Sequence, residues 1–341
     1  MPRIIHRTVL ISVLLLIAAG LLLSVFLLEE KVPSTPAISS CDKDQPIDTD
    51  QMVWIEGGEF LFGSDDFYPE ESAAHRVSVA GFWIKSHEVT NAEFAAFVDA
   101  TGHVTAAEKY LDEETFPGIP EEQRQPGSVV FVPPVSEAGR LTNWWQFIKG
   151  ASWRAPDGPG SSIEDKAQHP VVHIAYEDAL AYAQWKGEAL PTEQQWEYAA
   201  RAGSDDTLFA WGDNFLVDGA HQANTWQGLF PLQNSADDGY AGRARVGCFP
   251  ANDHGLFDMI GNVWEWTTNW YVPGHSGEPI PERGYDPQQP GVPVRVIKGG
   301  SFLCAANFCQ RYRPAARHPQ DATLGTSHIG FRTVKNLPAA G

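Results

Sequence analysis

Cys304 and Cys309 are the residues in this 341-residue sequence whose type and spacing most directly suggest chemistry. They sit in Lys298-Gly-Gly-Ser-Phe-Leu-Cys304-Ala-Ala-Asn-Phe-Cys309-Gln-Arg-Tyr-Arg313. Two thiols this close can close a local structural disulfide, which is common in exported proteins. Two thiolates without a further ligand also suit monovalent copper, a soft ion that accepts linear coordination. Zinc fits poorly, because a structural zinc site needs four ligands and no second close Cys or His pair is visible. The other cysteines are Cys41 and Cys248. Cys41 falls in a Pro- and Ser-containing stretch and reads as a linker residue, leaving three cysteines for the folded part. A domain relying on disulfides would show more of them, in even number.

The elements that must position this pair are short. Three segments read as helices. Residues 90–102 open with Thr90 and carry Glu93 three residues on, a capping box, with Val89 available to staple onto Phe94 and Gly102 as the stop. Residues 192–203 repeat that design with Thr192 and Gln195, and Trp196, Ala199 and Ala200 form an apolar stripe. Residues 176–186 place Ala179, Tyr182, Ala183 and Lys186 on one face, with Gly187 behind them. Short strand patterns appear at residues 76–79, 82–85 and 296–298, separated by long loops rich in Pro-Gly, Asp-Gly and Gly-Gly pairs. The 31 glycines, 25 prolines and 12 tryptophans describe irregular chain held by aromatic packing or bound ions. The expected fold class is α+β with low regular content.

Residues 8–28 form an uncharged run rich in Leu, Ile and Val. As a helix it would be about 30 Å long, enough to cross a bilayer core. Arg3 and Arg7 precede it and Glu29 and Glu30 follow, so the positive-inside rule puts the N-terminus in the cytoplasm and the rest outside. A cleaved signal peptide would have a shorter core and a small-x-small site, and Cys41 lies too far beyond the run for a lipoprotein anchor. The expected organisation is a cytoplasmic N-terminus and single transmembrane helix over 1–30, a linker over 31–51, one domain over 52–335 and a tail over 336–341. The two arginines and two glutamates of the first thirty residues cancel, so the remainder carries the whole formal charge of −19. That balance excludes a nucleic-acid partner, which demands a basic surface.

From residue 52 to 335 the chain resembles the formylglycine-generating enzymes, or sulfatase-modifying factors. The resemblance rests on Gly57-Gly-Glu-Phe-Leu-Phe-Gly63, His87-Glu-Val-Thr-Asn91, Gly150-Ala-Ser-Trp-Arg154 and His169-Pro-Val-Val-His173. It continues through Leu190-Pro-Thr-Glu-Gln-Gln-Trp-Glu-Tyr-Ala-Ala-Arg201, Ala223-Asn-Thr-Trp-Gln-Gly228, Gly261-Asn-Val-Trp-Glu-Trp266, Gly299-Gly-Ser301 and Gly330-Phe-Arg332. Several blocks are shared with a wider superfamily that includes ergothioneine-pathway enzymes and non-catalytic proteins. The Gly-Ala-Ser-Trp-Arg block and the Cys304/Cys309 pair are the narrower marks.

This resemblance implies an irregular α+β fold similar to C-type lectins. It implies that Cys304 and Cys309 hold Cu(I) as a bis-thiolate, and that O2 is used there to convert a substrate cysteine to formylglycine through a thioaldehyde. It places Ser301 beside the pair and Trp264 in the wall of an oxygen pocket; from residue type alone Ser301 is equally a turn residue and Trp264 a core residue. Cys248 matches none of the family's catalytic positions and is expected to tolerate replacement by serine. It implies two Ca2+ sites, one from Asn224 and Asp238 with the carbonyls of Thr225 and Tyr240, the other from Asp258 and Glu265 with the carbonyls of Gly261 and Val263. All are oxygen donors, which suits a hard cation. Without the resemblance, residues 237–239 read as a turn and Glu265 as a surface charge. Departures from the family pattern are Phe308 in place of a tyrosine, Pro314 in place of a cysteine used by some eukaryotic members, and His328 in place of Asn. His328 would bind peptide or cap a turn.

The function expected is therefore a periplasmic, membrane-anchored oxidase acting on a Cys-x-Pro-x-Arg segment of a sulfatase or another protein. Its rival is an anchored, non-catalytic binding or scaffold module on the same fold, which fold alone cannot exclude. An iron-dependent sulfoxide-forming relative would need a His cluster, and the eleven histidines show none of the expected spacing.

Overall fold

The computed structural model describes residues 41, 48, 50–111, 113, 118–134, 144–205, 207–275 and 282–338. The anchor and most of the linker assigned above lie outside these residues. Among the described residues no helix is long and apolar enough to cross a membrane.

In chain order the strands are β1 Met52–Ile55, β2 Gly58–Phe62, β3 His75–Val79, β4 Phe82–Lys85, β5 Gly127–Phe131, β6 Trp145–Lys149, β7 Leu216–Val217, β8 Ala220–His221, β9 Trp264–Trp270, β10 Val294–Lys298, β11 Arg317–Asp321, β12 Ile329–Gly330 and β13 Val334–Asn336. The helices are α1 Asn91–Thr101, α2 Glu121–Arg124, α3 Tyr176–Lys186 and α4 Glu193–Arg201. β4 pairs antiparallel with both β1 and β13, and the second sheet runs β11-β10-β9-β12. The remaining strands pair as the hairpins β2-β3, β5-β6 and β7-β8. The result is the irregular α+β arrangement the sequence implied.

The three helices read from the sequence form where their caps put them. Thr90 Oγ1 accepts from the Glu93 amide at 3.3 Å while Glu93 Oε2 accepts from the Thr90 amide at 2.8 Å. Thr192 and Gln195 make the same reciprocal pair at 3.1 and 3.0 Å. Each such box satisfies two N-terminal amides that have no partner within the helix. Gly102 and Gly187 end α1 and α3 at φ of 70° and 69°, the left-handed conformation glycine adopts freely. At α4 the cap is Ala202, left-handed at φ 49°, with Gly203 also at positive φ behind it, so that helix stops one residue earlier.

One core joins helices and sheets. Trp153, Trp196 and Trp266 are wholly buried in it, with Phe82, Phe94, Tyr182 and Phe331. Charge is buried alongside. Arg332 grips Glu265 through two 2.7 Å hydrogen bonds, and Trp196 Nε1 donates to the same carboxylate at 2.8 Å. Lys298, at the end of β10, reaches Glu197 at 2.9 Å with no exposure of either group, and Arg317 on β11 pairs with Glu193 at 2.7 Å. Glu265 is therefore a core carboxylate, correcting its reading as a surface charge: its charge is matched by an arginine 67 positions away, which no local pattern shows.

A second correction concerns the cysteines. Cys41 is bonded to Cys248 across 207 residues. Cys41 is thus fastened to the domain, not free in a linker, and Cys248 is not the neutral position expected. At the other end β13 runs to Asn336, whose side chain accepts from Gln195 at 2.7 Å. A disulfide closing so long a loop is expected to contribute about 2–4 kcal/mol. Cys41→Ser and Cys248→Ser should each lower thermal stability by a similar amount, and the double variant by no more than either. Additive losses would show that the two cysteines act separately.

Candidate active site

β10 leads straight into the candidate pair. Gly299 and Gly300 follow it at φ of 95° and 77°. A Cβ on Gly299 would lie 3.0 Å from both the Trp196 ring and the Met259 carbonyl oxygen, so at this positive φ a larger residue would be strained and press tightly on the core. The chain then passes Ser301, whose carbonyl accepts from the Cys304 amide at 2.9 Å, and the Trp226 amide donates to the Cys304 carbonyl at 3.0 Å. A further turn, from the Cys309 amide to the Ala305 carbonyl at 2.9 Å, brings the second thiol back.

The two sulfurs are 2.9 Å apart and not bonded to each other. Cys304 is buried and Cys309 half-buried. Burial, reinforced by the neighbouring sulfur, pushes the Cys304 thiol well up, whereas the hydrogen bond from Cys304 draws Cys309 down to about 7, helped by Arg311. The environment thus splits two chemically identical groups: Cys304 keeps its proton and donates, and Cys309 is the readier thiolate and nucleophile or soft-metal ligand.

Of the other residues singled out by the sequence, Trp264 is buried in the same core cluster as Cys304 and stacks on His318 with ring centres 5.8 Å apart. Ser301 is fully buried, and its hydroxyl oxygen accepts from the Leu303 amide at 3.2 Å, a turn contact. His328 holds Thr326 Oγ1 through Nδ1 at 2.6 Å and lies over Trp145 at 4.7 Å. Burial drives its pKa down to about 3, so it is a neutral imidazole bracing a turn.

Sequence reasoning missed the aromatic face beside Cys309. Phe308 is 52% exposed and stacks on Phe230 at 4.4 Å, with Trp144 edge-on at 5.7 Å. Phe131 joins Phe230 to Trp145. The adjacent pair Trp144-Trp145 inside irregular chain was the available signal. An exposed apolar patch of this kind is the sort of surface that contacts another molecule.

The residues that the resemblance assigns to calcium come together in part. Thr225 and Tyr240 give their amides to Asp238 at 3.0 and 2.9 Å, and Asn224 Oδ1 is buried without a hydrogen-bond partner. Asp258 accepts from the Gly247 amide at 2.6 Å, and burial lifts it to about 6. Beside it Glu88, wholly buried, is raised well above the usual carboxylate range by burial and by Asp258, and its Oε2 has no partner. Both places hold acidic or carbonyl oxygen short of a positive partner, which fits a hard cation. Glu265, however, has both oxygens engaged by Arg332 and Trp196. Among the described residues no three His, Cys, Asp or Glu side chains converge as a metal cluster, so each site would depend on backbone carbonyls.

Residues 39–337 match the family described as sulfatase-modifying factor enzyme 1-like domain. The chain is 48% identical over 299 residues to the formylglycine-generating enzyme of Mycobacterium tuberculosis, covering 85% of this chain and 99% of that one. It is also 36% identical over 292 residues to the inactive C-alpha-formylglycine-generating enzyme 2 of Mus musculus, covering 84% and 85%. Among solved structures, PvdO from Pseudomonas aeruginosa shares the fold with a TM-score of 0.56 and 24% identity, over 84% of this chain and 94% of that one.

Proposed function

Because the chain belongs to the sulfatase-modifying-factor family, we propose that it converts a cysteine of a sulfatase to formylglycine, using O2 and a copper ion held by Cys304 and Cys309. The observation that carries this reading is the pair of unbonded sulfurs 2.9 Å apart, one buried and one half-buried. A non-catalytic module of the same fold has no need of two free thiols in contact, and that favours the enzyme over the scaffold reading.

The donor set suits Cu(I): two soft sulfurs and no competing His or carboxylate cluster among the described residues. Copper, when bound, would supply the one-electron reactivity toward O2 that side chains lack. The protein's own part is positional. Cys309, poised near 7, releases its proton readily at neutral pH. Phe308 and Trp145, backed by Trp144 and the buried Phe230, offer apolar surface to an extended Cys-x-Pro-x-Arg segment and would bring its cysteine alongside the pair. Trp264 and Ser301 close the inner wall with core packing and a turn. Calcium at Asn224, Thr225, Asp238 and Tyr240, and at Asp258, Gly261, Val263 and Glu265, would neutralise buried oxygen and stiffen these loops. In this reading the domain works outside the cytoplasm, tethered by the apolar run at residues 8–28, and the Cys41–Cys248 bond supports an oxidising compartment.

Co-expression with a sulfatase carrying the Cys-x-Pro-x-Arg segment tests this reading. Formylglycine should be found in the sulfatase with the wild-type chain and be absent without it. Unmodified cysteine in both would favour the scaffold.

Calcium removal is expected to lower the melting temperature, since an ion bound only to the folded state stabilises it by mass action. The loss should be larger at pH 7.5 than at 5.5. Asp258, raised to about 6, is stable unpaired only while protonated: its contribution is present below the unfolded carboxylate value and lost as pH rises through 6. A cation compensates for that loss where the group is ionised. A melt unchanged by chelator at both pH values would remove calcium from the account.

A further inference from the structure

Cys304 and Cys309 are anchored to different parts of the fold. Cys304 is buried and held through Ser301 and Trp226. The Cys309 amide donates to the Ala305 carbonyl, and the chain just beyond it is fixed from a distant segment, residues 67–71. Tyr68 Oη accepts from the Gln310 amide at 3.2 Å. Arg311 donates through Nε to Glu70 at 3.1 Å and lies 3.9 Å over the Tyr68 ring. Arg313 donates to Glu71 at 2.8 Å, stacks 3.8 Å over Phe67, and closes back on the Gln310 carbonyl at 2.9 Å. Arg317 of β11 gives Nη1 to the Glu70 carbonyl at 3.2 Å, tying the segment to the sheet. Two neighbouring glutamates thus meet alternate arginines, each of which also covers an aromatic ring, a pairing the planar guanidinium suits and lysine would not reproduce.

We propose that residues 67–71 are a strap that sets the gap between the two sulfurs, with Tyr68 and Glu70 as positioning residues for Cys309. This rests on the reading of Cys304 and Cys309 as the working pair. Because Cys304 is fixed by the core, displacement of the strap moves Cys309 alone and changes the separation directly. A reactive pair is sensitive to such looseness, since a misplacement on the scale of an ångström costs a large part of the benefit of proximity. The sequence distance between strap and pair, 241 residues by the Glu70–Arg311 bond, is why neither residue stands out locally.

The test uses the full chain, with the Cys41–Cys248 bond intact, in a glutathione redox buffer without copper or peptide. Closing Cys304 to Cys309 passes two electrons and two protons to oxidised glutathione, leaving two reduced glutathione molecules. The fraction closed, read by mass after alkylation, gives the effective concentration of one thiol at the other. Glu70→Gln and Tyr68→Leu should lower that concentration about tenfold, and Glu70→Asp, which restores the carboxylate, should recover part of it. Ile55→Val in β1 serves as a remote destabilising control and should leave it unchanged. Wild-type values in both strap variants, or an equal fall in Ile55→Val, would overturn the strap. The thiol equilibrium involves no peptide, so failure of wild-type protein to oxidise a peptide would count against the proposed function and not against the strap.

Discussion

Cys304→Ser and Cys309→Ser should each fold with nearly wild-type stability and lose peptide oxidation by about a thousandfold or more, about 4 kcal/mol of barrier. The separation of the two effects is the point. A structural clip would cost about 2–4 kcal/mol of stability on losing either sulfur, and these two sulfurs are not bonded. Serine keeps the size and the hydrogen-bonding capacity of the side chain while removing the soft donor. The Cys41 variants supply the opposite pattern, a loss of stability with turnover retained below the melting point. Thermal melts and initial rates on the same preparations check both halves. If a serine at either site of the pair unfolds the domain as Cys41→Ser does, the pair is structural.

The largest expected effect on stability is at Arg332. Its guanidinium satisfies both Glu265 oxygens and donates at 2.9 Å to the Phe257 carbonyl, with neither side chain reaching solvent. Arg332→Met would leave Glu265 buried against Trp196 with no cation. Stranding one member of a buried pair costs about 3–5 kcal/mol, and chemical denaturation should show a loss of that size. The double variant Arg332→Met/Glu265→Leu should recover much of it, because no charge is then stranded. Added calcium should narrow the loss in the single variant if Glu265 faces a cation as well. A single variant within 1 kcal/mol of wild type would mean that the pair is dispensable, against the usual cost of an uncompensated buried charge of about 3–5 kcal/mol.

The parts of this molecule legible in the sequence are those governed by local rules. Thr90 and Glu93, or Thr192 and Gln195, are three residues apart and meet through one helical turn, so their capping is written in the spacing. The Cys304/Cys309 pair is likewise local, and the turn that joins the sulfurs needs no distant partner. What escaped is set by long-range pairing. Glu265 looks like any polar residue between two tryptophans until Arg332 is folded onto it. Cys41 looks like a linker cysteine until Cys248 arrives from 207 residues away. Trp144 and Phe230 belong to separate loops, and their shared face beside Phe308 exists only after the chain has closed. The residues proposed for calcium are intermediate: resemblance suggested their positions, and the structure adds that Asn224 and Glu88 hold buried oxygens without hydrogen-bond partners.

The central claim is that the thiol pair oxidises a cysteine in another polypeptide, and the product's mass tests it most directly. The purified domain is incubated with Cu(I), O2 and a Cys-x-Pro-x-Arg peptide, and the peptide is weighed with and without an aldehyde-trapping amine. The account predicts a product in which the thiol-bearing carbon has become an aldehyde, trapped by the amine, absent without O2 and absent with Cys309→Ser. A peptide recovered only as its starting thiol or its dimer, from copper-loaded wild-type protein, would contradict it.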